Sequence, residues 1–315
     1  MKIIFIACLL IMIPISSFTK ENDRIDSAKS IMRMTQNHID NLVLPNLEKG
    51  LTKKELKIAK DIITTVVIDE NIYNVRAFNN DAIKKVEIST GFLTLMKVIS
   101  EANILANRFN KTSKLQPYYE LIYKYLTGYN INNGENKNLK EPVPFYVFAG
   151  IPKKDYFEFI QTKGFDNVIT LQLDTIIGFI LMHEFGHHIL NHLSTRSDDE
   201  ETREKEKQAD EFSLRVNWTM GHNPLVFAPS FLIFAMIEGN PVNGTHPAAA
   251  SRLEHFLDEG VFFSEKDKDF MNNIEQNPAL KSSLDLLKKQ QKKLKEMLNK
   301  QGDFLITPQS VPGLL

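Results

Sequence analysis

The sequence predicts an α+β fold that is mainly helical, with a small sheet and a C-terminal helical extension. Most apolar residues recur at helical spacing, only short stretches alternate with period two, and a lysine-rich amphipathic segment at 279–299 follows the last apolar block. With 315 residues, 43% of them hydrophobic, the chain can bury a full core in one large domain or two small ones. Lys plus Arg (38) nearly balances Asp plus Glu (39), so there is no single-sign field to attract nucleic acid, and no nucleic-acid partner is expected.

The N-terminus, MKIIFIACLLIMIPISSFTKEND, has a lysine, an apolar run over 3–15 and small residues before a polar stretch. That is the layout of a secretory signal peptide, here residues 1–17, and it predicts an exported, periplasmic or secreted protein. The alternative is an uncleaved segment anchoring the chain to a membrane. Cys8 is the only cysteine. A chain cut near Ser17 would therefore have no disulfide, thiolate ligand or cysteine nucleophile.

A main domain over 18–275 is expected to begin with an amphipathic helix at 24–43 that stops at Pro45. Thr52 and Glu55 form a capping-box pattern before a helix bearing Leu56, Ala59, Ile62, Ile63 and Val66. Ile83, Val86 and Ile88 alternate with Lys85 and Glu87, which predicts a strand with one wet face. Gly91 opens a helix over 92–109, another is expected near 118–126, and PFYVF and NVITLQ read as short strands. Asp174 is placed to cap the helix containing FILMHEFGHHILNH, residues 179–192. Helices follow at 202–217, at 224–237 and after Pro247. The 224–237 segment is too short to span hydrocarbon and is broken by Pro229, which makes it a buried helix. Residues 276–315 form the closing helix and tail. Its leucine stripe is expected to pack on the domain, with peripheral membrane contact or a partner helix as alternatives.

On a helix, His183 and His187 lie one turn apart on one face, with Glu184 about 100° round from His183. A hydrolytic zinc site needs three protein ligands and an open position. Glu206 and Asp210 in EKEKQADEF are also one turn apart. Glu206 can complete the ligand set, and Asp210 can accept a hydrogen bond from the far nitrogen of a ligand imidazole. The competing reading is a solvated acidic face. Ala209 and Phe212 favour an inward face beside those carboxylates.

Taken together, HEFGHHILNH, EKQAD and HPAAASR resemble the gluzincin family of the CAAX prenyl proteases and HtpX, whose pattern is HExxHxxxxH, ExxAD and a later HPxxxxR. RAFNNDAIKKVEISTGFL is loosely similar to that family's strand segment. The resemblance covers roughly 72–256 and implies a zincin-like metallopeptidase domain. The membrane helices of HtpX are missing, so the chain looks more like soluble envelope members of the family. About seventy residues, 97–170, stand where relatives have a short link, and are expected to be an insertion or lid.

Carried over, the resemblance implies one zinc ion per chain on His183, His187 and Glu206, with Glu184 as general base and Asp210 behind the ligands. The chemistry fits these residue types: zinc lowers the pKa of its water to about 7 and Glu184 takes the proton. His246 is placed near the cleft, as an oxyanion donor or a latch on the open position; a helix-start turn with Pro247 first is its plainer alternative. Arg252 is expected to pair with a carboxylate and hold the site helices together. His192 is expected to pack or hydrogen-bond, His188 has no assigned function, His222 reads as a surface turn, and Gly186 as a point of close helix approach. The substrate would be an extended or unfolded polypeptide adding as a strand along Val86 to Ser89.

The leading reading is thus a zinc endopeptidase acting on unfolded or misassembled envelope proteins. A zinc-stabilised, chaperone-like binding protein with a latched site is the second, and an intracellular HExxH protease of the phage-exclusion type is the third. Oligomeric state is left open.

Overall fold

The computed structural model describes residues 21–69, 74–131, 142–194, 199–220, 250–266 and 278–301. They form an α+β fold in which helices dominate and one small sheet lies against the longest of them. Expectations for the signal segment, the 224–237 helix, His222, His246 and Pro247 fall outside the described residues.

Helix α1 (Glu21–His38) does not stop at Pro45. It passes through a π-helical turn at Ile39–Val43 into α2 (Leu44–Gly50). The wider turn lies directly ahead of Pro45, where a regular α-turn would press the proline ring against the Asn41 carbonyl.

The capping box is present: Thr52 Oγ1 accepts from the Glu55 amide, and Glu55 Oε2 accepts from the Thr52 amide. It opens α3 (Lys53–Ala59), which ends sooner than the apolar spacing predicts. Residues Ile62–Val67 form strand β1 instead. The run Ile-Ile-Thr-Thr-Val-Val is β-branched throughout, a type that loses side-chain freedom in a helix and packs well on a pleat. Burial alternates along it, with Ile62, Thr64 and Val66 inward.

Strand β2 (Val75–Asn80) has no counterpart in the sequence reading, whereas β3 (Ile83–Ser89) matches its expected position. The strand order is β1-β3-β2, with β1 parallel and β2 antiparallel to β3. This corrects the assignment of Val86 to Ser89 as an open edge, because β3 is bonded on both sides. The Ser89 amide donates to the Asn74 carbonyl, so Asn74 and Ser89 form a hydrogen-bonded pair. The alternation that follows along the register turns the backbone groups of Ala77 and Asn79 away from β3.

Ser89 caps α4 (Thr90–Arg108) by accepting from the Phe92 amide, and α4 runs through the core. Then come α5 (Leu115–Ile131), α6 (Phe145–Phe148) and α7 (Lys153–Ile160). PFYVF is therefore a helical turn and not a strand: Tyr118 packs on Phe145 and Phe148, and Tyr146 stacks on Tyr156.

Helix α8 (Lys163–Ile189) is 27 residues long and absorbs NVITLQ, the second misassigned strand. Its cap is Thr162, whose Oγ1 accepts from the Phe165 amide, and not Asp174. Asp174 sits mid-helix and pairs with His38 on α1 at 2.7 Å. By length and composition α8 could cross a membrane, but its apolar stretch is largely buried within the fold, as in a core helix.

Helix α9 (Asp199–Thr219) packs along α8, and α10 (Ala250–Lys266) packs on α9, where His255 Nε2 meets Glu211 at 2.6 Å. The closing helix α11 (Pro278–Gln301) folds back on α10. Leu284 and Leu294 are buried, and Lys295 reaches Asp258 at 2.7 Å and Glu254 at 3.3 Å.

Candidate metal centre

Two helices build the site, and their register determines it. Near one end of the α8–α9 contact, Ser213 Oγ donates to the Phe179 carbonyl and Asn217 Nδ2 donates to the Gly178 carbonyl. Progress toward the C-terminus of α8 is progress toward the N-terminus of α9. One turn on, His183 therefore faces Asp210, and a further turn brings His187 opposite Glu206. Gly186 sits between these pairs. A Cβ there would lie 3.3 Å from Ala209 Cα and 3.2 Å from Phe212 Cδ1, so the missing side chain lets the helices approach closely.

All five α8 and α9 residues expected at the site are buried: His183, Glu184 and Asp210 at 0%, Glu206 at 2% and His187 at 3% exposed. The solvated-face alternative for Glu206 and Asp210 is thereby excluded. His183 Nε2 lies 3.1 Å from His187 Nε2 and 3.2 Å from Glu206 Oε2, and His187 Nε2 lies 3.5 Å from Glu206 Oε1. Arg252 lies on α10, but its side chain falls outside the described set, as does His246 altogether.

The other ring nitrogens face outward from this cluster. His183 Nδ1 is 2.8 Å from Asp210 Oδ1. A carboxylate there is an acceptor for Nδ1–H, and in the neutral ring this leaves the Nε2 lone pair directed at His187 and Glu206. His187 Nδ1 is 3.1 Å from His192 Nδ1, so His192 does hydrogen-bond to a candidate ligand as expected. Asn191, at φ 62°, turns the chain back over the end of α8 and brings His192 to that position. Burial alone would depress the His183 imidazole, but Asp210 and then Glu206 outweigh it and hold its pKa up at about 9.

The donor set can be tested for fit. Zinc bonds of about 2.0–2.1 Å at tetrahedral angles place ligand atoms roughly 3.3–3.4 Å apart. The three observed separations, 3.1, 3.2 and 3.5 Å, bracket that value. Charge points the same way, since the Glu206 and Asp210 carboxylates are both withdrawn from water against the same imidazole, His183. Such a pair needs positive charge beside it.

Two features escaped the sequence reading. His188 points to the sheet and donates from Nε2 to the Lys85 carbonyl of β3 at 2.9 Å, tying α8 to the sheet. Gln208 meets His192 Nε2 at 3.2 Å. Neither had a usable signal: the first partner is a backbone carbonyl 103 residues away, and Gln208 sits in a run of charged residues.

A family model described as Peptidase U49 matches residues 167–274, about a third of the chain, and this segment carries α9 and all but the first four residues of α8. The match indicates a peptidase family, and it is not to the gluzincin family of the prenyl proteases that the motifs resemble. No curated protein and no solved structure matches the chain.

Proposed function

We propose that this protein is a zinc-dependent endopeptidase that hydrolyses peptide bonds in extended or unfolded polypeptides. The observation that carries the reading is the convergence of His183 Nε2, His187 Nε2 and a Glu206 carboxylate oxygen, all buried and within 4.8 Å of one another, with Glu184 beside His183 in the same helix. The peptidase-family match over 167–274 supports the reaction class independently.

His183, His187 and Glu206 would hold the ion. Zinc so held supplies Lewis acidity, making water a nucleophile near neutral pH and polarising a carbonyl. Glu184 accepts the proton as the water oxygen bonds to the scissile carbon, then delivers it to the amine as the C–N bond breaks. Asp210 holds His183 in the tautomer that keeps Nε2 available. His246, from the HPAAASR segment, is the candidate for a further oxyanion donor or latch, and Arg252 for a brace between helices.

For the substrate, β2 takes the place first assigned to β3. It is an outer strand of the sheet, it packs near α8, and its Ala77 and Asn79 backbone groups point away from β3. An extended peptide adding there would be held through its main chain, which tolerates many sequences. The apolar N-terminal run supports an envelope location and clients among unfolded or misassembled exported proteins.

The test is metal analysis together with casein cleavage on wild type and Glu184→Gln. The reading predicts one zinc in both proteins, with cleavage by wild type alone that is lost on chelation. Zinc-free wild type, or equal cleavage by the two proteins, would refute it.

A further inference from the structure

Beyond the ligands, a directed chain of hydrogen bonds runs from the centre to the surface. His187 Nδ1 meets His192 Nδ1 at 3.1 Å, His192 Nε2 meets Gln208 Oε1 at 3.2 Å, and Gln208 Nε2 donates to Glu204 Oε1 at 3.1 Å. Glu204 and Gln208 lie one turn apart on the exposed side of α9, whereas His192 is buried.

Each link constrains the next. An ionised carboxylate only accepts, so Glu204 selects the NH₂ end of the Gln208 amide and turns its oxygen to His192. That oxygen also only accepts, so the proton of a neutral His192 sits on Nε2 and its Nδ1 presents a lone pair. Two facing ring nitrogens need one hydrogen between them, and the remaining source is His187 Nδ1–H. A neutral His187 protonated on Nδ1 has its lone pair on Nε2, the nitrogen 3.1 Å from His183 Nε2 and 3.5 Å from Glu206.

We infer that His192 and Gln208 are positioning residues: with Glu204 they fix the tautomer and ring orientation of His187, as Asp210 does for His183. The difference between the two arms is chemical. His183 is backed by a buried charge, and His187 by a neutral relay that ends on a solvent-facing acid. The inference rests on the proposed metal centre, and the experiment separates failure of the one from failure of the other.

Zinc affinity is measured by chelator competition on wild type, His192→Leu, His192→Asn and Gln208→Ala. Leu fills the buried space without an acceptor, and Asn places a carbonyl oxygen about where Nδ1 stands. Loss of such a partner weakens zinc binding by roughly 10–100-fold in His192→Leu. His192→Asn should stay close to wild type, and Gln208→Ala should weaken binding in the same direction but less. A packing function predicts the opposite order, with Leu the better replacement, and that order would overturn the inference while leaving the metal centre standing. Imidazole ¹⁵N spectra of the zinc-loaded wild type supply a readout independent of any variant. His192 should carry its proton on Nε2, and a proton on Nδ1 would overturn the relay. If the wild type takes up no zinc at all, the metal reading fails and takes the relay with it.

Discussion

His183 Nδ1 lies 2.8 Å from Asp210 Oδ1, both side chains are fully buried, and the pair bridges α8 and α9 at the point where the candidate ligands meet. The contact does two things at once: it orients an imidazole and it pins two helices at one register. Asp210→Ala should therefore lower zinc affinity by about 10–100-fold and destabilise the fold by roughly 1–3 kcal/mol through the imidazole N–H left unpaired. Asp210→Asn, which keeps an acceptor oxygen, should recover most of the stability and less of the affinity. Zinc content after dialysis and thermal melting of the two variants check this. Equal zinc affinity in Asp210→Ala and wild type would refute it.

Gly186→Ala tests the helix spacing. The new methyl would meet Ala209 Cα at 3.3 Å, and backbone cannot rotate aside as a side chain can. Overpacking of this kind costs about 1–3 kcal/mol. Because α9 must move outward to admit the methyl, Glu206 should move with it, and zinc affinity should fall together with the melting temperature. A variant that loses stability but keeps wild-type affinity would show that the spacing at Gly186 does not govern the site.

Adjacent histidines should behave differently. His187→Ala is expected to abolish zinc retention. His188→Ala should retain zinc and lose about 1–2 kcal/mol of stability with its bond to the Lys85 carbonyl. Metal analysis of both, beside denaturant melts, decides the matter, and zinc loss in His188→Ala would contradict the assignment.

The docking of α11 should weaken in acid. Burial pushes the Asp258 carboxyl up, but hydrogen bonds from Lys295 and Gln291 and the Lys295 charge outweigh it and hold it below the ordinary carboxylate value. A depressed folded-state pKa contributes stability that is fully present above the unfolded value of about 3.9 and is lost as pH falls through the lower folded value. Asp258 is 34% and Lys295 45% exposed, so the effect should stay below about 1 kcal/mol. Amide protection across 278–301, taken relative to the intrinsic exchange rate at each pH, should fall between pH 5 and pH 3 by more in wild type than in Lys295→Met. Leu294→Ala, at a fully buried position, should release the helix far more, by about 2–5 kcal/mol at any pH.

What the chain determines locally is what local physics can carry. Helical spacing placed His183 and His187 on one face and Glu206 and Asp210 on another, and the Thr52–Glu55 box needed only four residues to declare a helix start. The same spacing misread Ile62, Ile63 and Val66, because apolar residues at i, i+1 and i+4 fit a helix and a strand alike. Pairing with β3, contributed from some twenty residues further on, settled that ambiguity. NVITLQ went the other way: its β-branched residues are carried along in one long helix that buries Ile169 and leaves Val168 and Leu171 exposed.

Only the tertiary structure could decide that β3 is central, that His188 faces the sheet, and that His192 reaches Gln208. Each depends on a partner distant in sequence, and a polar atom does not announce its distant partner in advance. The donor set itself divides the same way. Side-chain chemistry named three candidate ligands of two types, whereas the 3.1–3.5 Å spacing among them comes from the antiparallel register of α8 and α9, set by the close approach at Gly186 and the bonds from Ser213 and Asn217.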